Sequence, residues 1–114
     1  MRYIFVFLIY CSSFVFSQDV NRIFQQANDA YNKGLYDEAI TLYNQIILDG
    51  QHDSSIYFNL GNSHYKLNNV AESIFYFEKA KIFSSKDQDI EINLAFANNM
   101  TIDSIDPLPK SDLL

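Results

Sequence analysis

Residues 54–80 read SSIYFNLGNSHYKLNNVAESIFYFEKA, two apolar-periodic stretches that meet at Asn68-Asn69. Apolar side chains recur at three- and four-residue intervals on both sides of that break, which predicts helices over Ile56–Lys66 and Val70–Phe83. Shifting the chain by 34 residues lays Phe24 on Phe58, Asn28 on Asn62, Tyr31 on Tyr65, Glu38 on Glu72, Ile40 on Ile74 and Tyr43 on Phe77. A second step carries Asn59-Leu60-Gly61 onto Asn93-Leu94-Ala95. A fixed period of this length marks a repeat architecture, each unit being one supersecondary element that buries its apolar face on its neighbours.

The first unit repeats the pattern. Val20–Lys33 carries Ile23, Ala27, Ala30 and Tyr31 at helical spacing, Gly34 can take the left-handed conformation that ends a helix, and Tyr36–Leu48 resumes with Ala39, Ile40, Tyr43, Ile46 and Ile47. His52-Asp53-Ser54 forms a polar break before the second unit. Asp37 and Glu38 put negative charge at the positive end of their helix, Asn69 with Glu72 resembles a capping box, and Ser85 with Gln88 offers a cap for a fifth helix over Asp89–Asn99. Pro107 and Pro109 forbid a regular sixth helix, because each lacks a backbone donor and fixes its own φ. The expectation is an all-α domain over residues 18–100, built of antiparallel helical hairpins (about 20–53, 54–87 and a partial 88–100), with 101–114 an extended Pro-containing tail.

Residues 1–17 stand apart. Arg2 is followed by fourteen uncharged residues from Tyr3 to Phe16, too few to cross a bilayer as a helix and suited to the core of a secretory signal peptide. Val15 and Ser17 are small enough for positions three and one before a cut, which places cleavage between Ser17 and Gln18 and the chain in the periplasm or envelope. A lipid anchor on Cys11 and an uncleaved membrane anchor are the alternatives.

The whole chain has 114 residues, a formal charge of −6 and one cysteine. The acidic balance, with no Lys/Arg-rich stretch, excludes the electrostatic footprint of a nucleic-acid binder. One thiol excludes a disulfide framework and a cysteine-based metal site. No cofactor or small-molecule substrate is implied.

These residues resemble the tetratricopeptide (TPR) repeats, whose 34-residue unit follows a W-x2-L-G-x2-Y then A-x3-F pattern. Tyr57 stands at the large aromatic position, Leu60-Gly61 at the leucine-glycine pair, Phe77 at the later aromatic and Ala80 at the small residue after it. Gly61 lets the two helices approach closely, and Ala27 and Ala95 do nearly the same in their units; Ala39 and Tyr43 fill the matching packing positions of the first unit. The sequence departs from the pattern at His64, Ser73, Gln51 and Ser85. The resemblance implies about two and a half repeats, five helices after the signal segment, stacked as a short right-handed superhelix and used as a protein–protein interaction scaffold.

A narrower resemblance is carried by the signal segment, QANDAYNKGLYDEAITLYNQII, the 54–80 stretch and INLAFANNMTIDSIDPLP. Together they look like the N-terminal portion of the BatE-type TPR proteins of Bacteroidetes aerotolerance (Bat) operons. That likeness implies membrane-associated von Willebrand A-type partners and a MoxR-type ATPase, with membrane segments in a longer parent protein. A general periplasmic TPR adaptor in envelope assembly is the alternative, and a regulatory subunit of an enzyme complex the more distant one.

In stacked hairpins the concave face is lined by the first helix of each unit. Helical spacing places Phe24, Asn28 and Tyr31, then Phe58, Asn62 and Tyr65, then Ile92, Phe96 and Asn99 on that face, as a groove for an extended peptide or partner helix. The competing reading is that these aromatics fill gaps between repeats. Phe24 and Phe58 at inner positions, with the negative charge that Asp89 adds in the third unit, argue against a clamp for an acidic C-terminus.

Enzyme chemistry finds no set of residues at working spacing. His52 sits between units and His64 on a helix, with no second ligand at metal spacing, and Asp87, Asp89 and Glu91 suit the start of a helix better than a calcium site. Asn99-Met100-Thr101 and Asp103-Ser104-Ile105 match short glycosylation motifs. Two and a half units sit near the limit for a continuous core, and the last helix, with Leu94, Ala95 and Phe96, is expected to leave an apolar side open to self-association.

Overall fold

The computed structural model describes residues 19–105. Five helices and no strand lie among them: α1 (residues 19–32), α2 (Tyr36–Leu48), α3 (Ser54–Lys66), α4 (Val70–Phe83) and α5 (Gln88–Ile105). The expected signal segment and the tail beyond residue 105 lie outside the described residues. No described helix is long and apolar enough to cross a membrane. The chain divides into two compact units between Gln51 and His52, the first holding α1 and α2 and the second α3, α4 and α5.

In the first unit α1 and α2 are joined by a tight turn. Gly34 has φ +76°, its N–H donates to the Tyr31 carbonyl at 3.0 Å, and the Leu35 N–H reaches back to Ala30 at 2.9 Å. Those two bonds satisfy carbonyls that a helix end leaves open, and the positive φ needs a residue without a β-carbon penalty. Ile23, Ala27, Ala30, Ala39, Tyr43 and Ile46 are buried, with Ala27 and Ala39 at 0% exposure.

The second unit repeats the turn 34 residues later. Asn68 has φ +62°, its N–H donates to Tyr65 at 3.0 Å, and the Asn69 N–H reaches His64 at 2.9 Å. Leu35 and Asn69 then open α2 and α4 with nearly the same backbone, φ −88°, ψ 66° and φ −85°, ψ 78°. The expected capping box at Asn69 is not formed. Its ψ is far from the extended value a capping side chain needs, and Asn69 Nδ2 instead donates to His64 Nδ1 at 3.2 Å. Gly50 closes α2 in the same left-handed way, with φ +88° and bonds from Gly50 and Gln51 to Ile47 and Ile46.

Side-chain caps sit at the other junctions. Asp53, in extended backbone, accepts from the Ile56 N–H at 2.9 Å and starts α3. Asp87 accepts from the Asp89 N–H at 2.9 Å and starts α5, so the cap is Asp87 rather than Ser85. A carboxylate accepts these bonds more strongly than a hydroxyl and also favours the helix dipole.

Ile56, Tyr57, Leu60, Phe77, Ala80, Ile90, Leu94 and Ala97 form the buried hydrophobic set of this unit. A β-carbon at Gly61 would stand 2.5 Å from Phe77 Cδ1, so close approach at this glycine depends on its missing side chain. The fifth helix runs to Ile105, past the expected end at Asn99, because nothing from Asn98 to Ile105 breaks it and the first restriction comes at the residue before Pro107. Ala95, expected to act like Gly61, is exposed: among the described residues no helix follows α5 to pack on it.

Candidate functional site

Turns of three and four residues link α3 to α4 and α4 to α5, so α3 and α5 run in the same direction. Two contacts set the rotation of α5. Asn93 Nδ2 donates to Asn62 Oδ1 on α3 at 2.8 Å, and Glu91 pairs with Lys81 on α4 at 3.3 Å. At 3.6 residues per turn, Phe96 lies about 60° from Asn93 and about 140° from Glu91 around the axis. Phe96 therefore leans toward α3. The arc on the α4 side, with Glu91, Ala95 and Asn98, is polar or small.

Ile92 and Phe96 are 51% and 55% exposed and Asn99 is exposed with them, an unpartnered stripe with the Asn62–Asn93 pair along one margin. In that pair one amide donor and one amide acceptor are spent on each other. The Asn62 Nδ2 and Asn93 Oδ1 atoms have no partner among the described residues. Side by side, one donor and one acceptor match what a peptide group presents.

The other residues of the expected groove are placed differently. Phe58 and Tyr65 are half-buried and pack against Phe77, Leu94 and Ala97, the Phe58 and Phe77 rings lying 5.8 Å apart. They form the wall beneath the stripe more than its open surface. In the first unit Phe24 meets the Tyr43 ring edge-on at 6.0 Å, the Asn28 amide oxygen accepts from the Tyr43 hydroxyl, and Tyr31 meets Tyr36 at 5.3 Å. All three are engaged with α2. Burial, followed by the neighbouring Tyr36, raises the Tyr31 phenol above its ordinary value.

The packing positions Ala27, Ala39, Tyr43, Tyr57, Leu60, Gly61, Phe77 and Ala80 are all buried. Ser73, at a position where the repeat pattern has alanine, is buried and donates to the Gly61 carbonyl at 2.9 Å. Tyr57 is hydrogen-bonded to His52 Nδ1 and stacked between rings: His52 at 6.0 Å, Tyr76 at 6.2 Å and Phe83 at 5.6 Å. Burial, then Tyr76, raises its phenol. His64 stacks on Tyr76 at 5.4 Å, so each histidine is part of the aromatic packing of its helix junction. Among the described residues no three His, Cys, Asp or Glu side chains come together as metal ligands. The Asn99-Met100-Thr101 motif lies within α5, where the Thr101 hydroxyl donates to the Ala97 carbonyl.

Three functional details escaped sequence reading. Asn93 matches Asn59 in the 34-residue register, so the repeat gave no sign that it pairs with Asn62. Lys66, at one end of the stripe, is a lone charge with no motif around it, and Asp89, at the other, reads in the sequence only as part of the acidic start of α5. The aspartates at 19, 53 and 87 do recur every 34 residues, and that signal was available for the caps.

Residues 54–84 match the sequence model of the tetratricopeptide repeat. No curated protein matches the chain. The match and the all-helical structure support a TPR protein, and TPR repeats serve as protein–protein interaction scaffolds that are typically non-catalytic.

Proposed function

We propose that the chain is an exported scaffold whose α3–α5 face holds a segment of a protein partner in the cell envelope. The observation that carries this reading is the exposed Ile92 and Phe96 beside the half-satisfied Asn62–Asn93 pair. Burying a Phe side chain against a partner is worth roughly 1.5–3 kcal/mol, while the amide pair fixes the backbone of what lies across it. The face offers binding chemistry and no nucleophile or base in working geometry.

Export rests on the signal-like residues 1–17, and the Bat-like assignment on the likeness of the repeats and of the 101–109 segment to BatE-type proteins. On that assignment the partner is a membrane-associated von Willebrand A-type protein. Self-association through α5 in the absence of partner belongs to the same reading.

The test compares pulldown from an envelope extract by the wild type, Asn62→Ala/Phe96→Ala and the control Phe75→Ala, whose side chain is exposed elsewhere on α4. Loss of the same partner with the first variant only is expected; equal recovery by all three contradicts the site. N-terminal sequencing of the envelope form should begin Gln18-Asp19-Val20, and a start at Met1 contradicts cleavage.

A further inference from the structure

Lys66 and Asp89 give the α3–α5 face a charge direction. Both are exposed, and neither has an ion-pair partner among the described residues. On α3 the exposed side chains Ser55 and Lys66 flank Asn62 at spacings of seven and four, which puts all three on one stripe. On α5 Asp89 stands four residues before Asn93 and seven before Phe96, again on one stripe. The Asn62–Asn93 bond fixes the register of the two parallel helices. Asp89 therefore lies about four residues toward one end of the face and Lys66 about four toward the other, roughly 12 Å apart along the axis at 1.5 Å per residue. Ile92 lies beside the middle of that span and Phe96 about 4.5 Å past it, toward the Lys66 end.

Near the Asp89 end stand two more acidic residues, one in α5 and one its cap, and the exposed Lys86 in the turn before them. Glu91 points to the α4 side, where it meets Lys81, and Asp87 is held by the Asp89 N–H as the cap of α5. An extended chain advances about 3.3 Å per residue, so 12 Å corresponds to three or four residues.

Resting on the scaffold reading above, we infer that the partner segment is an extended peptide with a Lys or Arg at one end and an Asp or Glu three or four residues away, on either side of an apolar residue. The basic side chain meets Asp89, the acidic one meets Lys66, and the apolar one covers Ile92 and Phe96. A peptide with two like charges at this spacing places one of them against its own sign.

The probe is a phage-displayed library of random linear decapeptides panned against the full chain, the Lys66→Glu variant and the Asp89→Lys variant. Both substitutions are at exposed positions and leave the core untouched. For the wild type, peptides with opposite charges at this spacing around an apolar residue should be enriched at least fivefold over like-charge peptides. Lys66→Glu should shift enrichment to two basic residues and Asp89→Lys to two acidic ones. Enrichment of apolar peptides without charge preference, unchanged by either variant, overturns the inference and leaves the scaffold reading standing. No enrichment on any of the three overturns the inference too, and the pulldown with Asn62→Ala/Phe96→Ala then decides the site by itself.

Discussion

Gly61 lies flat against the Phe77 ring: a β-carbon there would stand 2.5, 2.6 and 2.9 Å from three ring carbons. Phe77 is wholly buried, so the ring has nowhere to retreat. Gly61→Ala gains about 1 kcal/mol of helix propensity. Overpacking costs about 1–3 kcal/mol, and three contacts under 3 Å put this site at the upper end. The expected net is a loss of about 2 kcal/mol, read as a lower urea midpoint. Pairing Gly61→Ala with Phe77→Leu should recover part of it, because the smaller side chain removes the clash.

The Asn62–Asn93 bond should appear as a coupling between α3 and α5. Each single Ala substitution is expected to cost about 0.5–1.5 kcal/mol, since both side chains are half-buried and a released amide can reach water. The double variant should cost less than the sum by about 0.5–1 kcal/mol in a urea-unfolding cycle. Strict additivity would mean that the bond does not form in solution.

Tyr31 and Tyr57 set the alkaline behaviour. Both phenols are raised, chiefly by burial, so the unfolded chain loses these protons first as pH rises. Their contribution is fully present below about pH 10, the ordinary phenol value, and is lost as pH climbs through the raised values. The melting temperature should fall as pH rises above about 10, and less steeply in Tyr57→Phe. A slope unchanged in that variant would remove Tyr57 as a cause.

Much of this fold is legible in the residues because the repeat is enforced by backbone chemistry. Gly34 and Asn68 occupy the same left-handed turn, and Ala27, Gly61, Tyr43 and Phe77 keep the same interior. What the sequence hides is how polar side chains choose among partners. Asn69 has the type and spacing of a cap yet turns to His64, because its backbone was already set by the turn before it. Asp53 caps its helix from what reads as a polar break, and Asp87, one of three acidic residues at a helix start, takes the cap expected of Ser85. The groove face was only half legible for a related reason. Helical spacing identifies residues that share a side, but Phe58 and Tyr65 are drawn toward Phe77 and Leu94, while Ile92 and Phe96 have no described helix to meet.

The central claim is that the α3–α5 face is where a partner peptide lies. The direct measurement is two-dimensional amide NMR of the isotope-labelled chain, titrated with the decapeptide most enriched on the wild type. The account predicts that the largest shift changes fall at Asn62, Lys66, Asp89, Ile92, Asn93 and Phe96. Largest changes at Phe75, Ile82 and Phe83, the exposed large apolar residues of α4, would contradict it.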